Sequence, residues 1–348
     1  MTSTLATTEV TSQNNRASQP NPIRFFQALH AYQQTAALKA ALDLELFTVI
    51  GEAHSTVPEI AQRTKAAERG VRVLCDFLVI FGFLYKDENR YSLTLDSAVF
   101  LDKNSPAYAG SAANFIVSDF LLNGFKNFTA LVREGGPAPE AAQRGIDDSI
   151  WVEFARHMGP LVLRVAERTE ELLRTAGKVK VLDVAAGHGL YGLSFARNNP
   201  NAEIYALDSE AVLKVAKENA ERFGLAGRWH ALPGDALGIP LGTSYDLVLV
   251  PNLLHHWDRA TIQAFLKKVH FSLVPNGRVA IIEFVPNEDR VSPPIPASFA
   301  VNMLVTTRGG DAYPASEYRN MLLQAGFDDP QIHPLLPMPH TVLVAGKK

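Results

Sequence analysis

The N-terminal part of the chain carries the hydrophobic spacing of helices. From Ile23 to about Gly82, apolar residues recur three and four positions apart, which predicts a run of amphipathic helices. Thr56 and Glu59 have the spacing of a capping box, which would begin one of these helices. Gly82 follows the last apolar position and is expected to end the run in the left-handed conformation.

A short hairpin is predicted directly after these helices. The apolar runs 83–85 and 91–93 flank a polar turn, and helices followed by a small hairpin are typical of a winged-helix domain, which we place at residues 21–104. Such a module often binds DNA. Its last helix offers Arg69 and Arg72 but is otherwise dominated by apolar side chains. We therefore favour association with a second subunit over DNA binding.

A mainly helical connection is expected at residues 105–176. Helical spacing continues to Arg133, and the glycine- and proline-rich segment 135–139 then breaks the pattern. The segment Trp151–Ala176 is strongly amphipathic and predicts one helix, ended by Gly177.

From Lys178 onward, short β-rich runs alternate with helical stretches. Alternation of this kind predicts an α/β domain at residues 177–348, Rossmann-like, with a mostly parallel sheet of seven strands and helices on both faces. The last two strands flank a proline-rich turn without a helix, so an antiparallel C-terminal hairpin is expected. The predicted strands are 179–184, 202–207, 228–232, 245–250, 278–284, 331–335 and 341–345.

Length, composition and charge narrow the functional classes. A chain of 348 residues can bury two hydrophobic cores, and its net charge of -3 without a basic run disfavours a nucleic-acid partner. No apolar run reaches the roughly 20 residues that a membrane helix needs. Residues 1–20 lack the features of a secretory signal and are expected to form a flexible tail. The lone Cys75 excludes an internal disulfide, so a cytoplasmic protein is expected.

A glycine-rich turn follows the first strand of the α/β domain. Gly187, Gly189 and Gly192 match the spacing of a dinucleotide-binding turn, and Asp208 ends the next strand about twenty positions later. Such glycines let the backbone approach a ligand, and the N–H groups of the following helix can bind an anion. The spacing alone leaves NAD and S-adenosylmethionine open.

Three acidic residues bear on that choice. Asp183 precedes the glycine turn, where a carboxylate would repel a pyrophosphate but attract the ammonium and sulfonium of S-adenosylmethionine. Asp208 could accept the ribose hydroxyls, and Asp235 the adenine amine. Each could instead stabilise a turn or cap a strand. Their spacing over three successive strands favours the methyl donor.

The most specific segments follow the fourth strand. Residues 252–258 read Asn-Leu-Leu-His-His-Trp-Asp, residues 273–278 read Leu-Val-Pro-Asn-Gly-Arg, and Ile282-Glu283 comes shortly after. From Pro20 onward the chain resembles the class I O-methyltransferases of the plant phenolic and bacterial secondary-metabolite type, which have an N-terminal winged-helix dimerisation domain. The resemblance implies that His255 is the general base, for which a pKa near neutrality is suited, and that Glu283 orients it.

The resemblance also implies the remaining site. It places Phe154, Met158 and Met303 at the acceptor. We also assign His256 and Asn302 to the acceptor, and Asn252 to the cofactor. Aromatic and methionine side chains at these positions would enclose a flat, mostly apolar ring, although an amphipathic stripe is more often plain core.

Two positions depart from the family pattern. An acidic residue usually follows the base, where this chain has His256, and the position of a second orienting Glu falls on Ala312, beside Asp311. These departures indicate that the base is held differently from the family pattern, and they keep methylation at carbon or nitrogen open.

The sequence therefore predicts a homodimeric, metal-free O-methyltransferase that acts on a hydroxyl of a small aromatic or polyketide-like secondary metabolite. Four alternatives stay open: methylation at carbon or nitrogen, a family member that binds the cofactor without methyl transfer, an NAD-dependent oxidoreductase, and a DNA-binding regulator that senses the cofactor.

Overall fold

The computed structural model describes residues 20–53, 55–138 and 148–348. The tail predicted at 1–20 lies, apart from Pro20, outside the described residues, as does the end of the predicted break at 135–139. The N-terminal elements, in chain order, are α1 (Ile23–Asp43), α2 (Leu46–Gly51), β1 (Ser55–Thr56), α3 (Val57–Thr64), α4 (Glu68–Ile80), β2 (Leu84–Asp87), β3 (Arg90–Leu93) and α5 (Leu95–Phe100).

The predicted winged helix is confirmed. Thr56 and Glu59 form both hydrogen bonds of the capping box at the start of α3. Helix α4 ends before Gly82, and the Phe83 N–H donates to the Leu78 carbonyl at 2.9 Å, a pattern that closes the last turn. Strands β2 and β3 form the hairpin, and β1 joins β3 as a third antiparallel strand. A separate apolar core lies under these elements: Ala41, Leu42, Leu46, Phe47, Ile50, Ile60, Ala61, Val71, Cys75, Leu78, Leu84 and Tyr91.

The connecting region is helical but more broken than predicted. It contains α6 (Ala113–Ile116), α7 (Asp119–Lys126), α8 (Phe128–Glu134), α9 (Asp148–His157) and α10 (Gly159–Leu173). The single helix predicted at Trp151–Ala176 was wrong, because the chain breaks at Met158. Pro160 explains the break: it has no N–H to continue the ladder, and its ring is tolerated only in the first turn of the new helix α10.

The predicted α/β sheet is confirmed. Its strands are β4 (Val179–Val184), β5 (Ala202–Asp208), β6 (Trp229–Pro233), β7 (Tyr245–Pro251), β8 (Leu273–Glu283), β9 (Gln331–Pro334) and β10 (Thr341–Gly346). They lie in the order β6-β5-β4-β7-β8-β10-β9; β4 to β8 pair in parallel, and β10 is antiparallel to both of its neighbours. The helices are α11 (Leu190–Asn198), α12 (Glu210–Arg222), α13 (Arg259–Ser272), α14 (Pro294–Thr306) and α15 (Ala315–Gln324).

Strand β8 begins at Leu273, earlier than the predicted start at Arg278. Its pairing with β7 shifts register after Tyr245, and the segment that contains Pro275 forms this irregularity. A proline cannot donate to a sheet ladder, so an apolar run interrupted by Pro275 did not read as a strand.

The sheet brings the sequence-predicted residues to one edge. Asp183 and Asp208 lie at the carboxyl ends of β4 and β5, and Glu283 ends β8. Since β10 is antiparallel to β8 and Thr341 pairs with Glu283, the turn before β10 reaches the same edge. Ligands of open α/β sheets bind at this edge. Among the described helices, none is both long enough and apolar enough to cross a membrane.

Candidate active site

The glycine turn joins β4 to α11 as the sequence predicted. Gly187 and Gly189 have positive φ angles of 55° and 74°, which glycine adopts without the steric cost of a side chain. Gly192 serves packing instead: a Cβ there would lie 2.5 Å from Ile204 Cγ2 on β5. The turn therefore packs closely against the sheet.

Asp183 is fully buried beneath this turn. Its Oδ2 accepts the Gly192 N–H at 2.9 Å, while its Oδ1 has no hydrogen-bond partner within the described ranges. Burial, with a smaller contribution from the nearby Asp208, raises the pKa of Asp183 to about 7, although the Gly192 hydrogen bond opposes the shift. The residue thus stabilises the turn with one oxygen and keeps the other for a donor or a cation.

Asn252 presents a second acceptor of the same kind. It follows β7 with a positive φ of 49°, and its backbone N–H donates to Ile282 O at 2.8 Å. Its amide Nδ2 donates to the Tyr191 hydroxyl at 3.3 Å, whereas Oδ1 is buried without a partner in the described part of the chain. Because β4 and β7 are neighbours, the unpartnered oxygens of Asp183 and Asn252 flank the same part of the sheet edge.

The other two acids differ in setting. Asp208 is half-buried, accepts Gly187 N–H at 2.9 Å and Ser209 N–H at 2.7 Å, and has its pKa raised by burial. Asp235 is exposed in the turn after β6, where its Oδ1 accepts the Leu237 N–H at 3.2 Å. Asp208 is hydrogen-bonded to the glycine turn, whereas the hydrogen bond of Asp235 stabilises its own turn after β6.

His255 and Glu283 form a buried pair. The Nδ1 of His255 lies 2.5 Å from Glu283 Oε2, and both side chains are almost wholly inaccessible to solvent. Glu283 Oε1 accepts the backbone N–H groups of Leu254 at 2.8 Å and of His255 at 3.4 Å. Three hydrogen bonds fix the carboxylate, and the carboxylate in turn fixes the imidazole.

Aromatic rings surround the free side of His255. The ring of Phe299, on α14, lies 4.8 Å from the His255 ring, and the ring of His256 lies 4.4 Å from it. Trp151, on α9, meets His256 edge-on at 5.4 Å. Burial, with His255 beside it, lowers the pKa of His256 well below its usual value, so His256 is a neutral member of this apolar surface.

Residues 160–328 match the O-methyltransferase domain family, and residues 26–103 match the O-methyltransferase dimerisation domain family. A crystal structure from Nostoc punctiforme, assigned to the O-methyltransferases, is 44% identical and covers 95% of this chain and 100% of its own, with a TM-score of 0.91. The chain belongs to the S-adenosylmethionine-dependent O-methyltransferases.

More distant relatives of this methyltransferase align over most of its length. The 3-hydroxy-5-methyl-1-naphthoate 3-O-methyltransferase of Streptomyces sahachiroi is 26% identical, over 84% of this chain and 86% of its own. Human N-acetylserotonin methyltransferase, solved in complex with S-adenosylmethionine, is 22% identical and covers 95% of this chain and 99% of its own, with a TM-score of 0.80. Family membership decides the cofactor that the glycine spacing had left open: it is S-adenosylmethionine and not NAD.

In this methyltransferase, a backbone hydrogen bond holds the main chain at His255, in the segment where a second orienting acid was expected. Ala312, where the second orienting Glu was expected, is buried, and the N–H of the preceding Asp311 donates to the His255 carbonyl at 2.9 Å. The Asp311 carboxylate binds Arg290 at 2.7 Å instead of the imidazole. Gly310 allows this close approach, since a Cβ there would lie 2.2 Å from His255 O.

The residues predicted for the acceptor lie on α9, in the break that follows it, in the segment after β7 and on α14. Phe154 stacks on the ring of His188 and would lie 3.8 Å from a Cβ at Gly187, so it borders the cofactor turn. Met158 lies in the break between α9 and α10. Met303 is buried on α14, one turn after Phe299, and Asn302 beside it is half-buried.

Several residues at the site were not predicted. His188 lies between two glycines of the turn, where burial lowers its pKa to about 4 and its ring borders Phe154 and Tyr191. Its place between the glycines was the available signal. Phe299 and His340 had none, since only the fold brings α14 and the turn before β10 to His255. Among the described residues, no group of His, Cys, Asp and Glu could hold a metal ion.

Proposed function

We propose that this methyltransferase methylates a hydroxyl group of a small aromatic secondary metabolite, with His255 as the general base. The observation that carries the proposal is the buried His255–Glu283 pair at the carboxyl end of β8. A carboxylate only accepts hydrogen bonds, so Nδ1 of His255 donates to it and Nε2 keeps the lone pair. Glu283 would stabilise the imidazolium that forms when Nε2 takes the hydroxyl proton.

The rest of the site would hold the reactants. Bound S-adenosylmethionine supplies an already activated methyl group. The unpartnered oxygens of Asp183 and Asn252 are suited to its ammonium group, because buried acceptors are normally hydrogen-bonded. Asp208 is placed to accept ribose hydroxyls, and Asp235 the adenine amine. Because Gly187 and Gly189 have no side chains, the main chain of the turn could approach the cofactor closely.

The acceptor would lie among the rings around His255. We assign Phe154, Met158, His256, Asn302 and Met303 to this pocket, in which the aromatic and methionine side chains favour a flat ring system. The Streptomyces sahachiroi relative acts on a naphthoate, which is a flat, bicyclic aromatic of the kind that such a pocket would favour. Most of the rate acceleration would come from holding the acceptor oxygen close to the methyl carbon.

Methyl transfer is tested by incubating the purified protein and S-adenosylmethionine with phenols, naphthols, quinones and polyketides. We expect a mass gain of one methyl group, and fragmentation should place it on oxygen. A product methylated on carbon or nitrogen would support the alternative raised by Ala312. Cofactor binding without any methylated product would favour a non-methylating family member.

We also propose that the N-terminal domain forms a homodimer. Helix α1 exposes Phe25, Leu29 and Tyr32 on one face, each more than half accessible in the single chain. Apolar residues four and three positions apart form a stripe that a second copy would cover. Leu29→Glu should convert the dimer to a monomer in size-exclusion chromatography with light scattering. Phe271→Glu, at an exposed position in the other domain, is the matched control and should leave the mass unchanged.

Two further expectations belong to this proposal. The domain division is a dimerisation domain at residues 21–104, connecting helices at 105–176 that contribute to the acceptor pocket, and a cofactor-binding domain at 177–348. The cytoplasmic location stays a prediction that fractionation of the producing cells would test.

A further inference from the structure

His340 lies at the active-site edge although it is distant in sequence from the other site residues. It ends the turn that joins β9 to β10, next to Thr341, which pairs with Glu283 in the sheet. The residue is only 8% exposed. Its ring lies 4.3 Å from that of Phe284, the residue after Glu283.

A series of rings connects His340 to the proposed base. Phe284 stacks on Phe299 at 4.3 Å with an interplanar angle of 19°, and Phe299 meets His255 at 4.8 Å. Both phenylalanines are only half-buried, so part of each ring remains open. His255, Phe299, Phe284 and His340 therefore form one aromatic wall, with a polar imidazole at each end.

The two end residues differ in their hydrogen bonding. Nδ1 of His255 is bound by Glu283, whereas Nδ1 of His340 is buried and has no partner within ranges 20–53, 55–138 and 148–348. Native proteins rarely leave a buried polar atom unpaired, and such an atom beside a binding site indicates a partner supplied by the ligand. Burial lowers the pKa of His340 to about 4, with His255 contributing, so the ring is neutral near pH 7.

We propose that His340 determines acceptor specificity by hydrogen bonding, through Nδ1, to a second hydroxyl group of the aromatic acceptor, remote from the oxygen that is methylated. We base this on the acceptor class proposed above. A hydroxyl both donates and accepts, so it pairs with Nδ1 in either tautomer of the ring. A carboxylate at the same place would meet no positive charge. The acceptor class is thus an uncharged polyhydroxylated aromatic.

The test compares two probes that differ in one hydroxyl, 2-naphthol and 2,7-dihydroxynaphthalene. Their affinities are measured by calorimetry with the protein saturated with S-adenosylhomocysteine. The wild-type protein should bind the diol about tenfold more tightly, the effect of one buried hydrogen bond. His340→Phe keeps an aromatic ring but removes Nδ1. In this variant the affinities for the two probes should differ by less than about twofold, and the affinity for 2-naphthol should be unchanged.

Two further variants control this comparison. His340→Gln keeps a hydrogen-bonding side chain and should retain part of the preference for the diol, even if the phenylalanine variant folds poorly. His333→Phe, on β9 outside the site, should behave as wild type. A tenfold preference that survives in His340→Phe, or a wild-type protein that does not prefer the diol, would overturn the assignment.

This result is separable from the proposed function, because probe binding does not require turnover. A protein that prefers the diol through His340 yet transfers no methyl group would refute the general-base proposal and leave the role of His340 standing. As a check of the charge argument, 6-hydroxy-2-naphthoate should bind the wild-type protein no more tightly than 2-naphthol.

Discussion

The cofactor end and the acceptor end of the site are built in different ways. The cofactor end consists of β4, the glycine turn and the start of α11, a continuous stretch in which Asp183 binds the N–H of Gly192 nine positions later. The acceptor end assembles rings from α9, the segment after β7, the end of β8, α14 and the turn before β10. In the proposed function, the cofactor end would recognise its ligand through backbone and charge, and the acceptor end would do so through apolar surface.

This difference predicts how each end tolerates change. A charged ligand held by a short, glycine-rich turn depends on a few atoms that sequence specifies directly. A flat, apolar ligand held by side chains from five distant segments depends on their packing, so single changes there should alter selectivity more than the reaction itself.

The largest effect is expected where the two ends meet. His255→Ala should lower kcat by about two to four decades, because the acceptor hydroxyl loses its general base, while the affinity for S-adenosylmethionine stays within about twofold. Turnover and calorimetry check this. His230→Ala, at a half-buried histidine that pairs with Glu203, is the control. Unchanged turnover in His255→Ala would remove the residue from the mechanism.

Glu283→Gln should have the next largest effect. The amide keeps the shape of the side chain but loses the charge that stabilises the imidazolium, so we expect kcat to fall about 10- to 100-fold. The Kd of the cofactor should hardly change, which distinguishes loss of a positioning residue from damage to the cofactor end. A drop in melting temperature large enough to account for the lost activity would contradict this interpretation.

Asp183→Asn should affect the cofactor end alone. Asparagine can still accept the Gly192 N–H, but it offers no charge to the ammonium, so the Kd for S-adenosylmethionine should rise about 5- to 30-fold. Asp246→Asn, which alters an aspartate that binds the Lys180 N–H at the opposite edge of the sheet, is the matched control.

The pH dependence of cofactor binding follows from the same carboxyl group. With a pKa of about 7 in the free protein, Asp183 is ionised above neutrality and protonated below it. A bound cation favours the ionised form, so the affinity for S-adenosylmethionine should increase as the pH rises through about 7 and decrease below it. The dependence should disappear in Asp183→Asn. A profile that is equally steep in wild type and variant would assign it to another group.

Phe154→Leu should have the smallest effect, because it replaces one ring among several with another apolar side chain. Loss of aromatic contacts should raise the acceptor KM about three- to tenfold and leave the cofactor Kd within about twofold. A larger change in the cofactor Kd than in the acceptor KM would move Phe154 from the acceptor end to the cofactor end.

Local signals in the sequence were enough for the helices, the strands and the glycine turn, whereas the choice of cofactor needed the family comparison. The capping box of Thr56 and Glu59, the alternation of strands and helices, and the glycine turn each act over a few neighbouring residues, so their physical meaning does not depend on the rest of the chain. The errors arose where a local signal was misread: Pro160 splits the predicted helix at Met158, and Pro275 hid the first residues of β8.

The acceptor end could be predicted only in part. His255 and Glu283 were found through a resemblance, not through any periodicity, and Ala312 gave no hint that the Asp311 N–H would hold the histidine backbone. Phe299 and His340 carry no sequence signal at all, since an aromatic or histidine residue in those segments would ordinarily be read as core.

The sequence by itself thus determined the strands, the glycine turn and the acids that follow them, because hydrogen bonds and hydrophobic periodicity between near neighbours specify those features. Only the tertiary structure decided which rings surround His255. Because β10 lies antiparallel beside β8, His340 reaches the end of the aromatic wall opposite His255. Contacts between segments so far apart in the chain depend on the order of the strands in the sheet, and no local sequence pattern specifies that order.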